Sequence, residues 1–149
     1  MRYSEARAGR IFVVRLEQDE ILHESVERLA KMEGISRAYV LALGALDGGS
    51  ALVVGPLDGK ALPVVPMRTK LDEPRELVGA GTIFPDEKGV PVLHMHVATG
   101  RNESSITGCV RAGVVIWKVV EIVVQELVDN PSIRKYDEAT GFELLEPEP

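Results

Sequence analysis

Two histidines separated by one residue, and a cysteine that follows them, are the residues of this 149-residue chain best suited to bind a metal ion. His94 and His96 lie in an apolar segment, residues 92–99, whose composition is typical of a β-strand. Side chains at positions i and i+2 of a strand project from the same face, so both imidazoles are expected to point the same way. Cys109 follows a turn-forming stretch, which leaves enough chain for the next segment to return beside the histidine strand.

Two neutral imidazoles and one thiolate form a ligand set that suits zinc. Three protein ligands leave a fourth position for water or a substrate, as catalytic and sensing zinc sites do. In the competing interpretation, His94 and His96 are half-buried polar residues of a strand, and Cys109 is a free cysteine that packs as a small hydrophobe. The spacing of the three residues leaves both interpretations open.

Glu121 lies in the longest apolar segment of the chain, residues 114–127. An unpaired carboxylate buried there would be costly or would take up a proton. One interpretation makes Glu121 a catalytic carboxylate, which either accepts a hydrogen bond from a ligand histidine or acts as a general base. The other makes it an edge or interface carboxylate, paired with a base such as Lys118 or Arg111.

Two arginines flank the predicted site in the sequence. A guanidinium group binds oxyanions through two parallel hydrogen bonds, so Arg101 and Arg111 are predicted to hold an anionic ligand. The alternative is that both are turn residues surrounded by solvent.

One helix and a series of strands must position these residues. A helix is predicted over residues 19–33, where apolar residues recur on one helical face. Short apolar segments separated by turn residues follow without a helical pattern between them, which predicts an α+β domain with a mostly antiparallel sheet of about six or seven strands. The predicted strand segments are residues 10–16, 35–43, 51–54, 62–67, 77–84, 92–99 and 114–127, and residues 141–145 can add one short strand.

The segment 114–127 is apolar at both odd and even positions, so a strand there must be covered on both faces. One helix of about 15 residues spans roughly 22 Å, which is too short to cover a sheet of this width. The remaining apolar surface predicts burial against another subunit.

Composition and charge limit the classes of function. The net charge is −6, but residues 1–136 carry 18 acidic against 17 basic residues, and the closest basic pair is Arg134-Lys135. Nucleic-acid binding depends on clustered Lys and Arg, so no direct nucleic-acid partner is expected. The length predicts a single domain over residues 1–149, with an acidic C-terminal tail at about 137–149.

Cysteine usage and the apolar segments indicate a compartment. The single cysteine excludes an internal disulfide and fits a reducing environment. The first ten residues lack the apolar stretch of a secretory signal, and charges interrupt the longest apolar segment. A cytoplasmic protein that does not enter a membrane is therefore expected.

The order of these residues resembles the plant-and-prokaryote conserved domain family, the domain that accompanies AT-hook motifs in plants. The resemblance runs through nearly the whole chain. The residues that carry it are 9–16, 34–40, Leu43-Gly44-Ala45, Pro91-Val92-Leu93-His94-Met95-His96, Gly108-Cys109 and 120–123.

The resemblance implies an α/β sandwich-like domain that assembles as a trimer, with a histidine cluster that can hold a metal near the subunit boundary. The family pattern usually has a histidine after two glycines at the third ligand position, whereas this chain has Thr107-Gly108-Cys109. Plant members bind DNA through AT-hooks outside this domain, and the sequence contains no AT-hook.

The sequence therefore predicts a homotrimeric metal-binding protein in which His94, His96 and Cys109 hold zinc. As an enzyme, it is expected to activate water on zinc for hydrolysis or lyase chemistry of a small polar substrate, with Glu121 as the catalytic carboxylate. The alternative is a non-enzymatic regulatory or assembly module that binds a partner or a small ligand. A DNA-linked role is the least expected.

Overall fold

A computed structural model describes residues 1–111 and 113–147 of the chain. Its main layers are an eight-stranded sheet with antiparallel strand pairs and one helix, and a second sheet has two strands. In chain order the elements are β1 (Arg7–Glu17), α1 (Leu22–Glu33), β2 (Ala38–Leu46), β3 (Ala51–Pro56), β4 (Pro66–Lys70), β5 (Arg75–Pro85), β6 (Pro91–Arg101), β7 (Ser104–Val110), β8 (Ile116–Val128), β9 (Ile133–Asp137) and β10 (Phe142–Glu146).

The strand order in the large sheet is β1-β8-β2-β5-β6-β7-β3-β4, and β9 pairs with β10 in the small one. The predicted α+β class, with a mostly antiparallel sheet and one helix, is confirmed. The expectation of six or seven strands is wrong, because the large sheet has eight. The turn before Cys109 is short: Asn102 adopts a positive φ of 52°, and the chain reverses between Arg101 and Ser104, so that residues 104–110 form β7.

The helix begins three residues later than its sequence pattern indicates. The backbone before it pairs with the segment that leads into β8, since Ile21 forms a bridge with Val115 and the Ile116 N–H donates to the Glu20 carbonyl at 2.9 Å. The helix ends at Gly34, whose φ of 67° is in the left-handed region. Within the described ranges, no helix has both the length and the apolar character needed to cross a membrane.

The helix packs against one face of the large sheet, and the core lies between them. Leu22 and Val26 of α1 belong to the same buried cluster as Leu93, Met95 and Val97 of β6. Met95 therefore packs in the core, as its position between the two histidines predicts. Because side chains alternate along a strand, His94 and His96 project from the opposite face of the sheet.

We call that opposite side the open face. Its exposed apolar side chains come from four adjacent strands and include Val13, Val123, Leu41, Leu43 and Val78. One row of cross-strand partners runs across six strands of this face, in the order Val13, Val123, Leu41, Ala80, His96 and Cys109. Two of the three candidate metal ligands, His96 and Cys109, thus lie in the same row as exposed apolar residues.

Candidate metal centre

Strands β6 and β7 bring the three predicted ligands together. His96 lies directly opposite Cys109 in the antiparallel register. His94 lies two residues earlier on the same face, where it is opposite Thr82 of β5. The register confirms that the cysteine segment returns beside the histidine strand.

The ligand atoms of His94, His96 and Cys109 all lie within 4.8 Å of one another. The two histidine Nε2 atoms are 3.2 Å apart, which also allows a hydrogen bond between them in one tautomer. Two nitrogens bonded to one tetrahedral zinc ion at 2.0–2.1 Å stand about 3.3 Å apart. The two imidazoles therefore already have the separation of zinc ligands, and the donor set fits a metal ion.

A glycine next to the cysteine lets the neighbouring strand approach. A Cβ atom built on Gly108 would lie 2.8 Å from the Val53 carbonyl oxygen and 2.9 Å from the Leu52 Cβ. Val53 is also the cross-strand partner of Cys109 on β3. Cys109 is thus held between β6 and β3 because residue 108 has no side chain.

Burial shifts the pKa values of two candidate ligand residues, His94 and Cys109. Burial lowers the pKa of His94 to about 4, and electrostatic interactions with Arg134, Arg111 and His96 act in the same direction. Burial raises the pKa of the Cys109 thiol, while the charges of Arg111 and Arg134 oppose that rise. Near neutral pH, His94 is neutral and ready to bind a metal, whereas the thiol must lose its proton to do so.

Two arginines act on this group from different elements. Arg111, which was predicted to bind a ligand, follows β7 directly, is exposed, and donates from Nη1 to the Val110 carbonyl at 3.1 Å. Arg134 lies on β9 and donates from Nη2 to Thr82 Oγ1 at 3.1 Å. Sequence reasoning did not assign Arg134 to the site, because no local spacing shows that β9 returns to the strand beside His94.

The structure places Arg101 away from the group. It lies at the far end of β6, five residues from His96, which corresponds to roughly 16 Å along a strand. There it pairs with Glu73 and donates to the Pro74 carbonyl at 3.1 Å. It lines a polar cavity of about 490 Å³ together with Asp72 and Arg75.

Glu121 is also separate from the group within one chain. It is exposed on β8, and strands β2 and β5 lie between β8 and the histidine strand. At about 4.8 Å per strand, the separation is roughly 14 Å. Its cross-strand partners are Arg15 and Leu43.

The fold and this cluster agree with a family comparison. The model of the Plants and Prokaryotes Conserved (PCC) domain matches residues 3–128. The chain belongs to this family, as the motifs around the two histidines and the cysteine indicated. Strands β9 and β10 lie beyond the matched residues.

Solved structures with the same fold come from several microorganisms. A metal-containing protein of Archaeoglobus fulgidus is 24% identical, with a TM-score of 0.84 and coverage of 98% of this chain and 99% of that chain. A plant- and prokaryote-conserved protein of Pyrococcus horikoshii is 26% identical, with a TM-score of 0.84 and coverage of 100% and 99%. A candidate DNA-binding protein of Bacteroides thetaiotaomicron is 18% identical, with a TM-score of 0.77 and coverage of 97% and 99%. No curated protein gives a significant match.

Proposed function

We propose that this chain is a metal-binding protein in which His94, His96 and Cys109 hold one zinc ion. The observation that carries the proposal is the 3.2 Å separation of the two histidine Nε2 atoms, with Cys109 opposite His96 in the next strand. The related protein from Archaeoglobus fulgidus is named as metal-containing. Soft thiolate and imidazole donors favour zinc over magnesium or calcium, which prefer oxygen ligands.

The chemistry of such a site follows from its ligand count. When bound by three protein ligands, zinc supplies Lewis acidity to whatever occupies its fourth position. The thiolate donates charge to the ion and reduces that acidity. The arrangement therefore suits the reversible binding of a small polar ligand.

We also propose that the protein works as a homotrimer assembled through the open face. Leu43 is 58% exposed and Val78 is 57% exposed, although both lie in the middle strands of the sheet. Contiguous exposed apolar surface of this kind marks interaction sites. Because His96 and Cys109 share a cross-strand row with Val13 and Leu41, a subunit that covers this face would lie next to the metal site.

Between the two expected roles, a regulatory or assembly module has the stronger support. The cluster of candidate ligands in the described residues contains no carboxylate, and Glu121 lies roughly 14 Å from the histidine strand. A general base must come within hydrogen-bond distance of the proton it takes. The enzymatic alternative would require Glu121 to reach the site from another subunit, and a turnover that is lost both on chelation and in Glu121→Gln would favour it.

A direct role in nucleic-acid binding has little support from the charges. Residues 1–136 are close to neutral, and binding to phosphates needs clustered positive charge. We propose instead that the partners are further copies of this chain and a small ligand, and that the protein acts in the cytoplasm.

Titration of the metal-free protein with Co²⁺ tests the proposed site. The absorption spectrum of bound Co²⁺ depends on its ligands, because a bound thiolate adds a sulfur-to-metal charge-transfer band. We expect one ion per chain with this band, loss of the band in Cys109→Ser, and strongly weakened binding in His94→Ala and His96→Ala. His23→Ala is the matched control, because His23 lies on α1 and outside the cluster. Binding without a sulfur band, or equal binding in all variants, would refute the site.

A further inference from the structure

A buried arginine lies beside the candidate metal centre. Arg134 is 5% exposed, and its guanidinium carbon is 5.9 Å from the centre of the Phe84 ring. Its Nη2 donates to Thr82 Oγ1, and Thr82 is the cross-strand partner of His94. The charged end of Arg134 is therefore one strand away from a candidate ligand, on the same face of the sheet.

The hydrogen bonds of Arg134 are incomplete. Within residues 1–111 and 113–147, its buried Nε has no hydrogen-bond partner. In the same ranges, no carboxylate oxygen lies within 4.0 Å of its guanidinium nitrogens, although the charge of Glu143 on β10 acts on it at longer range. A buried charge without a close counter-charge is costly, so this residue is suited to pair with an anion.

The position of Arg134 is fixed by the chain around it. The Arg37 side chain donates from Nε to the Ser132 carbonyl at 2.8 Å, which anchors the segment that leads into β9. Strand β9 then pairs with β10 in a hairpin, and it packs against β5. The guanidinium is thus presented by a paired strand rather than by a loose tail.

A second arginine directly follows the strand that carries Cys109. Arg111 follows Cys109 by two residues and is exposed. Arg134 is placed by its bond to Thr82 opposite His94, and the charges of both arginines favour the low pKa of His94 and oppose the rise in the pKa of the Cys109 thiol. The positive charges of two guanidinium groups and a divalent metal ion together exceed the single negative charge of the thiolate. The metal-loaded site would therefore carry a net positive charge.

We propose that Arg134 and Arg111 form an oxyanion pocket beside the metal centre, and that the pocket binds a small ligand through a carboxylate or phosphate group. This inference depends on the proposed metal centre in one respect only, namely that the bound ligand also occupies the fourth coordination position of the zinc ion. Guanidinium groups bind both anions through paired, charge-assisted hydrogen bonds.

The ¹⁵N–¹H spectrum of the assembled protein tests the pocket, because the Nε–H groups of arginines give their own signals. The probes are acetate and inorganic phosphate, each added to the metal-free and to the zinc-loaded protein. We expect a saturable shift of the Arg134 and Arg111 signals, and the tighter of the two probes identifies the oxyanion class. Removing one charge-assisted hydrogen bond should weaken the binding by about tenfold or more in Arg134→Gln and in Arg111→Gln.

Arg101→Gln is the matched control, since Arg101 lies on β6 but away from the ligand cluster. It should bind both probes like the wild type. Arg111 is exposed, so Arg111→Gln keeps the test valid even if Arg134→Gln does not fold. Backbone signals of each variant report whether the fold is retained.

The outcomes separate this inference from the proposed function. Zinc binding with no saturable response to either anion would overturn the pocket and leave the metal site standing. Arginine-dependent anion binding by a protein that takes up no zinc would support the pocket and refute the metal site. An Arg134→Gln variant that binds anions normally but dissociates into single chains would overturn the pocket, because it would assign Arg134 to a subunit contact.

Discussion

At the level of single residues, the candidate ligands His94 and Cys109 differ in whether they must lose a proton before they can bind a metal ion. His94 is already neutral near neutral pH, because burial and the nearby arginines lower its pKa to about 4. Cys109 is still a thiol, because burial raises its pKa. Zinc binds the thiolate, so the ion must displace a proton from Cys109.

We therefore predict that zinc affinity rises with pH through this one proton. Between about pH 7 and 8.5, at or below the ordinary thiol pKa, the association constant of the wild type should increase about tenfold per pH unit. In Cys109→Ala, the residual affinity should be lower and nearly independent of pH in this range. Competition against a chelator of known affinity at several pH values measures both slopes. A flat profile for the wild type would show that the thiolate is not a ligand.

The grouping of His94, His96 and Cys109 could be predicted from the sequence, but the residues around these candidate ligands could not. Strand alternation alone indicates that His94 and His96 share a face, and the length of the turn indicates that Cys109 returns beside them. Arg134 gives no such local signal, since it comes close to His94 only through the hairpin of β9 and β10. For Glu121 the local sequence is misleading. Its apolar neighbours in the sequence suggest that it is buried, whereas it is exposed on the open face.

At the level of elements, the site depends on the close approach of β3, β7 and β6. The number of strands was underestimated because the turn at Asn102 is tighter than its polar sequence indicates. The start of the helix was placed too early because residues 19–21 look helical in isolation, whereas Ile21 pairs with Val115. In both places, pairing between distant segments decides the local structure.

Gly108 gives a prediction about this packing. Gly108→Ala should lower the melting temperature and weaken metal binding, because the new Cβ would meet the Val53 carbonyl at 2.8 Å and force β3 away from Cys109. Overpacking of this kind costs about 1–3 kcal/mol. Thermal unfolding and zinc titration measure the two effects.

The matched control is Gly100→Ala at the end of β6. A Cβ at Gly100 meets nothing within 4 Å. Replacing a strand glycine in open space should leave stability unchanged or raise it slightly. Equal effects of the two substitutions would show that the contact between β3 and β7 does not hold the cysteine in place.

At the level of the whole molecule, the helix packs against one face of the sheet, and the other face carries both the candidate metal ligands and exposed apolar residues. Val13 is 85% exposed and Leu41 is 49% exposed, and both share the row of His96. The fold class and the apolar surplus were predictable because one short helix cannot cover so wide a sheet. The proposed assembly through this face would place the candidate site beside the subunit boundary.

We predict that charges on the open face prevent assembly. Leu43→Glu and Val78→Glu should convert a trimer into single chains, because a buried glutamate without a partner is strongly disfavoured at an interface. Sedimentation velocity measures the change in mass. Met32→Glu is the control, since Met32 is 73% exposed on α1, on the other side of the sheet. Trimers that persist in both open-face variants would rule out this surface as the interface.

The most direct test of the central claim is the metal content of untagged protein, measured by elemental mass spectrometry per chain. The wild type and His23→Ala are expected to contain close to one zinc ion per chain, and His94→Ala and Cys109→Ala are expected to contain almost none. A well-folded wild type that holds no metal even after incubation with zinc would contradict the proposed metal site. In that case His94, His96 and Cys109 would contribute only to the packing of the strands.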